Sequence, residues 1–133
     1  KNIISKIESK KGVLNLKSIM QEADQILIDR GDLSREIKIE MIPLIQRKII
    51  SMANESNTPV FVATNLLESM VSSIQPNRAE VNDVISTLQM GANGLVLAAE
   101  TAIGKYPVKS AEMIKLLINQ FNEWDENTIL DEI

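Results

Sequence analysis

Four short stretches of the chain carry nearly all the residues able to do chemistry: Lys6-Ile7-Glu8, Asp29-Arg30-Gly31-Asp32, Thr64-Asn65 and Glu100-Thr101. Each closes a short apolar run whose body is almost free of polar groups. Lys6 and Glu8 stand two residues apart, so in an extended strand both side chains point to the same side. A lysine and two or more carboxylates brought to one rim suit a divalent cation with an electrophilic ammonium beside it. Carboxylate oxygens favour Mg2+ or Mn2+, and a chain without His or Cys offers zinc none of its preferred ligands.

The apolar runs are Ile3–Ile7, Ile26–Ile28, Val60–Ala63 and Leu95–Ala99. They are too short for helices and rich in β-branched residues, which suits strands covered on both faces. Helical spacing fills the intervals. Val13, Leu16, Ile19, Met20 and Ala23 predict one helix after Gly12. Leu44, Ile45, Ile49, Ile50 and Met52 predict a second, with Pro43 in its first turn. Asn77 and Glu80 form a capping-box pattern at the start of a third, over 78–90. The last runs from about Pro107 through Phe121. Met41, Met52 and Met90 read as core filler. Strand and helix alternate four times, the pattern of right-handed crossovers and a parallel α/β sheet. An open doubly wound sheet and half of a (β/α)8 barrel share this order. No glycine-rich phosphate fingerprint supports the former. In both, functional groups gather at the carboxyl ends of the strands.

Composition narrows the function. The chain has 133 residues, 44% hydrophobic and 24% charged, the balance of a single globular domain. The net charge of -4 and 3% aromatic content speak against nucleic acid as a partner. Without Cys or His there is no disulfide, thiol nucleophile or His-dependent triad. No apolar run approaches the roughly 20 residues that span a bilayer, so no membrane partner is expected. The chain opens on Lys1 and enters an apolar run at once, which reads as a fragment of a longer protein.

Five motifs in register resemble one family, the pyruvate kinases. Ile3-Ile4-Ser5-Lys6-Ile7-Glu8 is similar to the strand bearing that family's catalytic lysine and a metal-binding glutamate. Arg30-Gly31-Asp32-Leu33 resembles the next strand end. Ala63-Thr64-Asn65-Leu66-Leu67-Glu68-Ser69-Met70 is similar to Ala-Thr-Gln-Met-Leu-Glu-Ser-Met. Pro76-Asn77-Arg78-Ala79-Glu80 with Asp83-Val84, and Glu100-Thr101-Ala102 with Gly104 and Tyr106-Pro107, complete the set. The resemblance implies strands five to eight of a TIM barrel over residues 1–123, with 124–133 as a tail or exit linker. It implies a cytoplasmic, Mg2+-dependent (or Mn2+-dependent) phosphotransferase of glycolysis, acting on phosphoenolpyruvate and ADP as a homo-oligomer. Its K+ site, nucleotide lid and allosteric domain would lie outside this chain.

By the same resemblance Glu8 and Asp32 are metal ligands. Lys6 neutralises the transferred phosphoryl and the enolate, and Thr64 stands near the donor of the proton that makes pyruvate. The backbone N–H groups of Gly31 and Asp32 hold the substrate carboxylate, while Arg30, Arg78 and Glu100 support the site or an interface. Plainer roles stand beside these: Asp32 and Thr64 as helix caps, Arg30 in a structural ion pair, Glu80 completing a cap.

The chain also departs from the family. Asp29 replaces the Ala before Arg-Gly-Asp, Ser34 a Gly, Asn65 a Gln, and Ala98-Ala99 a Ser-Gly pair. An extra carboxylate at Asp29 would repel phosphate if it faced the site. Two further readings therefore stay open: a non-catalytic half-barrel or scaffold, and a Mg2+-dependent lyase of the phosphoenolpyruvate/pyruvate barrel group. The open edges of a half-barrel predict association into a dimer or aggregates.

Overall fold

The computed structural model describes residues 1–133, apart from the side chain of residue 132. Four parallel strands, β1 (Ile4–Ile7), β2 (Gln25–Asp29), β3 (Val60–Ala63) and β4 (Gly94–Val96), lie side by side in chain order. A doubly wound sheet reverses its strand order at a switch point. This sheet never does, so the order selects the barrel alternative.

Register divides the sheet into two faces. Ile7, Ile28, Val62 and Leu95 form one row across all four strands. With Ile26 and Val60 they make the face on which the helices pack; Ile7, Ile26, Ile28, Val60 and Val62 are all fully buried. Helix α4 (Ile42–Glu55) lays Ile42, Ile49, Ile50 and Ala53 against this face, and α2 (Leu16–Glu22) adds Leu16 and Met20. Leu88 and Val84 of α5 (Arg78–Gln89) and Leu117 of α7 (Pro107–Glu123) enclose Leu66, Leu67 and Met70 in a second cluster. The opposite face carries the row Lys6, Leu27, Phe61 and Gly94, then the row of Asp29, Ala63 and Val96. Phe61 lies so close over Gly94 that a Cβ there would stand 2.4 Å from its ring.

Three expectations shift. The helix predicted after Gly12 is two: α1 (Lys10–Leu14), capped by Ser9 and containing Gly12, and α2. Asn15 makes the break, because its side-chain amide donates to the Lys11 carbonyl at 2.8 Å and competes with the helical ladder. The fourth strand stops at Val96 rather than Ala99. Ala98 leaves the extended region, and Ala99–Ala102 winds into a short helix, α6. Met41 is not core: it is 48% exposed in a 3-10 turn leading into α4. Elsewhere the expected signals hold. Pro43 and Pro107 occupy the first turns of α4 and α7. Among the described residues, no helix is long and apolar enough to cross a membrane.

The capping box of α5 is formed as expected, and it reaches further. Asn77 Oδ1 accepts from the Glu80 N–H at 2.9 Å, and Glu80 Oε1 accepts from the Asn77 N–H at 3.0 Å. Glu80 also takes the Ser69 N–H at 2.7 Å and the Ser69 hydroxyl, fastening the loop after β3 to the start of α5. Burial pushes the Glu80 carboxyl up, but the bonds from Ser69 and Asn77 outweigh it and hold the group below the usual range. A carboxylate so depressed adds stability above its unfolded value, and that stability is lost as pH falls through its folded value. Glu80→Gln should therefore cost about 1–2 kcal/mol near neutrality. The difference from wild type should shrink as urea denaturation is repeated below about pH 4.5. A pH-independent difference would contradict this role.

Candidate active site

The rim where β1, β2 and β3 end gathers the predicted residues. Lys6 and Glu8 follow the alternation of β1 onto one side, and Lys6 Nζ meets Glu8 Oε2 at 2.9 Å. Asp29, last residue of β2, lies on the same face and meets Lys6 at 3.2 Å through Oδ2. The chain then turns into the short helix α3 (Arg30–Leu33), for which Asp29 is the N-cap, its Oδ1 accepting from the Asp32 N–H at 3.2 Å. That turn brings Asp32 into the group: carboxylate oxygens of Glu8, Asp29 and Asp32 lie within 4.8 Å of one another.

Thr64 approaches from β3. Its hydroxyl donates to Asp29 Oδ1 at 2.8 Å, and its carbonyl accepts from the Arg30 guanidinium at 2.7 and 3.2 Å. Thr64 has φ of 81°, in the left-handed region where a β-branched residue is a true outlier, and Asn65 follows at 59°. Gly31 makes this fit possible: a Cβ there would stand 2.6 Å from Thr64 Cγ2. Arg30 is anchored in turn by Asp83 of α5 at 2.8 Å, so its structural role is realised within the chain.

Charge in the cluster is unbalanced. The bond to Glu8, then that to Asp29, raises Lys6 above its ordinary value, so it stays an ammonium. Burial pushes Asp29 up, but Thr64, the Asp32 N–H and Lys6 together hold it below the usual carboxylate range. Asp32 is raised, by Asp29 first and by Glu8 as well. Arg35 reaches Asp32 only at 3.6 Å, from a largely exposed position. Three carboxylates facing one ammonium leave room for further positive charge, and an all-oxygen donor set matches Mg2+ or Mn2+.

Two predicted residues stand apart. Glu100 is 1% exposed; its Oε2 accepts from the Leu67 N–H and its Oε1 from the Ala98 N–H, each at 3.0 Å. It braces the loop after β3 against the end of β4. Arg78 opens α5 in an exposed position, and among the described residues no ion pair reaches it. Two residues were missed. Asp29 reads in the sequence as a departure, yet it joins Lys6, Thr64 and Asp32. Parity along β2 puts it on the face of Leu27, and the register of β1 with β2 makes that the face of Lys6. Asp83 appears in the sequence only as part of a family motif, and its pairing with Arg30, 53 positions away, has no local signal.

The family model describing the pyruvate kinase barrel domain matches residues 1–111. The chain is similar to pyruvate kinase from Thermotoga maritima, 44% identical over 112 residues, covering 84% of this chain and 24% of that protein. It is similar to pyruvate kinase from Thermococcus litoralis, 42% identical over 125 residues, covering 94% and 26%. Among solved structures, a pyruvate kinase from Cryptosporidium parvum superposes with a TM-score of 0.90 at 39% identity, covering 94% of this chain and 25% of that one. The chain thus spans about a quarter of the length of these relatives.

The packing of Gly31 against Thr64 makes a direct prediction. Gly31→Ala forces its methyl onto a threonine held at both hydroxyl and carbonyl, so it should destabilise the fold by about 1–3 kcal/mol in urea denaturation. An unchanged midpoint would show that Thr64 is not held there.

Proposed function

The chain belongs to the pyruvate kinase family, and on that premise we propose that it forms one wall of a site where its parent protein moves a phosphoryl group from phosphoenolpyruvate to ADP, yielding pyruvate and ATP. The observation that carries this is the convergence of Lys6, Glu8, Asp32 and Thr64, from three strands, on a single rim.

In this reading the Lys6 ammonium faces the phosphoryl group in transfer and then the enolate oxygen left behind. It stabilises charge that grows in the transition state without forming a covalent bond. Glu8 and Asp32 would hold a Mg2+ or Mn2+ ion, which when bound would supply Lewis-acid polarisation of the substrate oxygens. The backbone N–H groups of Gly31 and Asp32 take the substrate carboxylate, that of Asp32 in exchange for its bond to Asp29. Thr64 lies beside the point where a proton reaches the enolate carbon. Glu100 and Arg30 keep the loop after β3 in place, and Arg78 serves the fold or an interface.

The non-catalytic alternative leaned on the altered last strand, Ala98-Ala99, and on Asp29 as a carboxylate repelling phosphate. Its oxygens are engaged by Lys6, Thr64 and the Asp32 N–H, which weakens that argument. The remainder of the parent would supply the K+ site, the lid over ADP and the allosteric domain. We place the parent in the cytoplasm as a homo-oligomer.

Two measurements test the reading. Lys6→Met in the full-length parent should lower kcat at least about a hundredfold in a lactate dehydrogenase-coupled assay, with Mn2+ binding retained. Near-normal turnover in that variant would overturn the role of Lys6. The chain of residues 1–133 alone should show no phosphoenolpyruvate-dependent phosphorylation of ADP, since most of the relatives' length is absent from it. Robust turnover would contradict that.

A further inference from the structure

We propose that Asp29 is a positioning residue that clamps Thr64, with Arg30 and Gly31 completing the clamp, and that it is not itself a ligand of the divalent cation. The proposal rests on the kinase reading for its kinetic consequence, but its conformational claim stands on the geometry.

Three consecutive residues each meet a different part of Thr64. Asp29 Oδ1 accepts its hydroxyl at 2.8 Å, the Arg30 guanidinium donates twice to its carbonyl, and Gly31 makes room for its methyl. A threonine at φ 81° is costly unless its surroundings over-determine it. These three contacts do so, and Asp83 secures the arginine from α5. One tripeptide thus fixes the backbone, hydroxyl and methyl of a residue 35 positions away.

The division of labour among the carboxylates follows from what each oxygen already holds. Oδ1 of Asp29 takes both the Thr64 hydroxyl and the Asp32 N–H, and Oδ2 takes Lys6. Glu8 meets Lys6 through Oε2, and Asp32 has only a distant, exposed Arg35. Glu8 and Asp32 are therefore the pair left to bind a cation, while Asp29 ties the lysine to the threonine. The family pattern has alanine at this position, which makes the clamp a property of this chain's own sequence.

The test uses the full-length protein with Asp29→Ala and Asp29→Asn. Asparagine keeps an oxygen for the Thr64 hydroxyl and the Asp32 N–H, and alanine keeps neither. Loss of the oxygen that accepts the Thr64 hydroxyl should slow exchange of pyruvate methyl protons with solvent, followed by NMR, about tenfold or more in Asp29→Ala. The KM for phosphoenolpyruvate and the Mn2+ affinity by electron paramagnetic resonance should stay within about threefold, and Asp29→Asn should recover most of the exchange rate. A crystal structure of Asp29→Ala should show the Thr64 side chain turned or its backbone relaxed from the left-handed region. Unchanged exchange, or a Mn2+ affinity weakened about tenfold and not restored by asparagine, would overturn the proposal, the latter by making Asp29 a ligand. If wild type catalyses neither exchange nor phosphoryl transfer, the kinase reading fails. The clamp is then decided by the crystal structure alone, and an unmoved Thr64 would overturn it.

Discussion

Crowding of like charge is the constraint from which the rest of this rim follows. Glu8, Asp29 and Asp32 place carboxylate oxygens within 4.8 Å of one another, and Lys6 is the one ammonium bonded among them. Such a group persists only where the backbone leaves it no alternative. The parallel register sets Lys6 and Asp29 on one face, and the capped turn into α3 swings Asp32 back towards them. Hydrogen bonding to Asp29 first, and the charge of Asp29 next, raise the Asp32 carboxyl above its ordinary value. A cation of charge two would relieve this crowding, which is the electrostatic ground for proposing a metal site at this rim.

The scaffold bears this because its stability comes from elsewhere. The helix-facing side of the sheet is a layer of Ile, Val and Leu, buried in β1, β2 and β3 and partly buried at Leu95 of β4, against α2, α4, α5 and α7. On the opposite face the polar groups Lys6 and Asp29 gather at the strand ends, apart from that core. Buried Glu100 and partly buried Glu80 belong to the scaffold. Each accepts one backbone N–H from the loop after β3, Leu67 donating to Glu100 and Ser69 to Glu80, so the middle of that loop is held while Thr64 is held at its beginning. Positioning and chemistry are thus assigned to different acidic residues, and burial with satisfied hydrogen bonds distinguishes them.

Strand order and the polar strand ends could be read from the sequence because both are local: β-branched runs, helical periods and the proline and capping positions decide them. The meeting of Lys6 with Glu8 was legible from a two-residue spacing. The break at Asn15 and the early end of β4 were not, since each turns on one side chain bending back to its own backbone. The role of Asp29 was hidden for a different reason. A family pattern with alanine there marks the residue as a fault, and only the register shows that its oxygens face Lys6 and Thr64. Arg30 with Asp83 is a contact across 53 positions that no local pattern encodes.

The account depends most on Glu8 and Asp32 sharing one ion next to Lys6. Crystals of the full-length protein grown with Mn2+ and measured near the manganese absorption edge would test this directly. The account predicts a single anomalous peak bridging the Glu8 and Asp32 carboxylates at about 2.1 Å, with Lys6 beside it. A peak at some other cluster, or Glu8 and Asp32 serving separate ions, would contradict it.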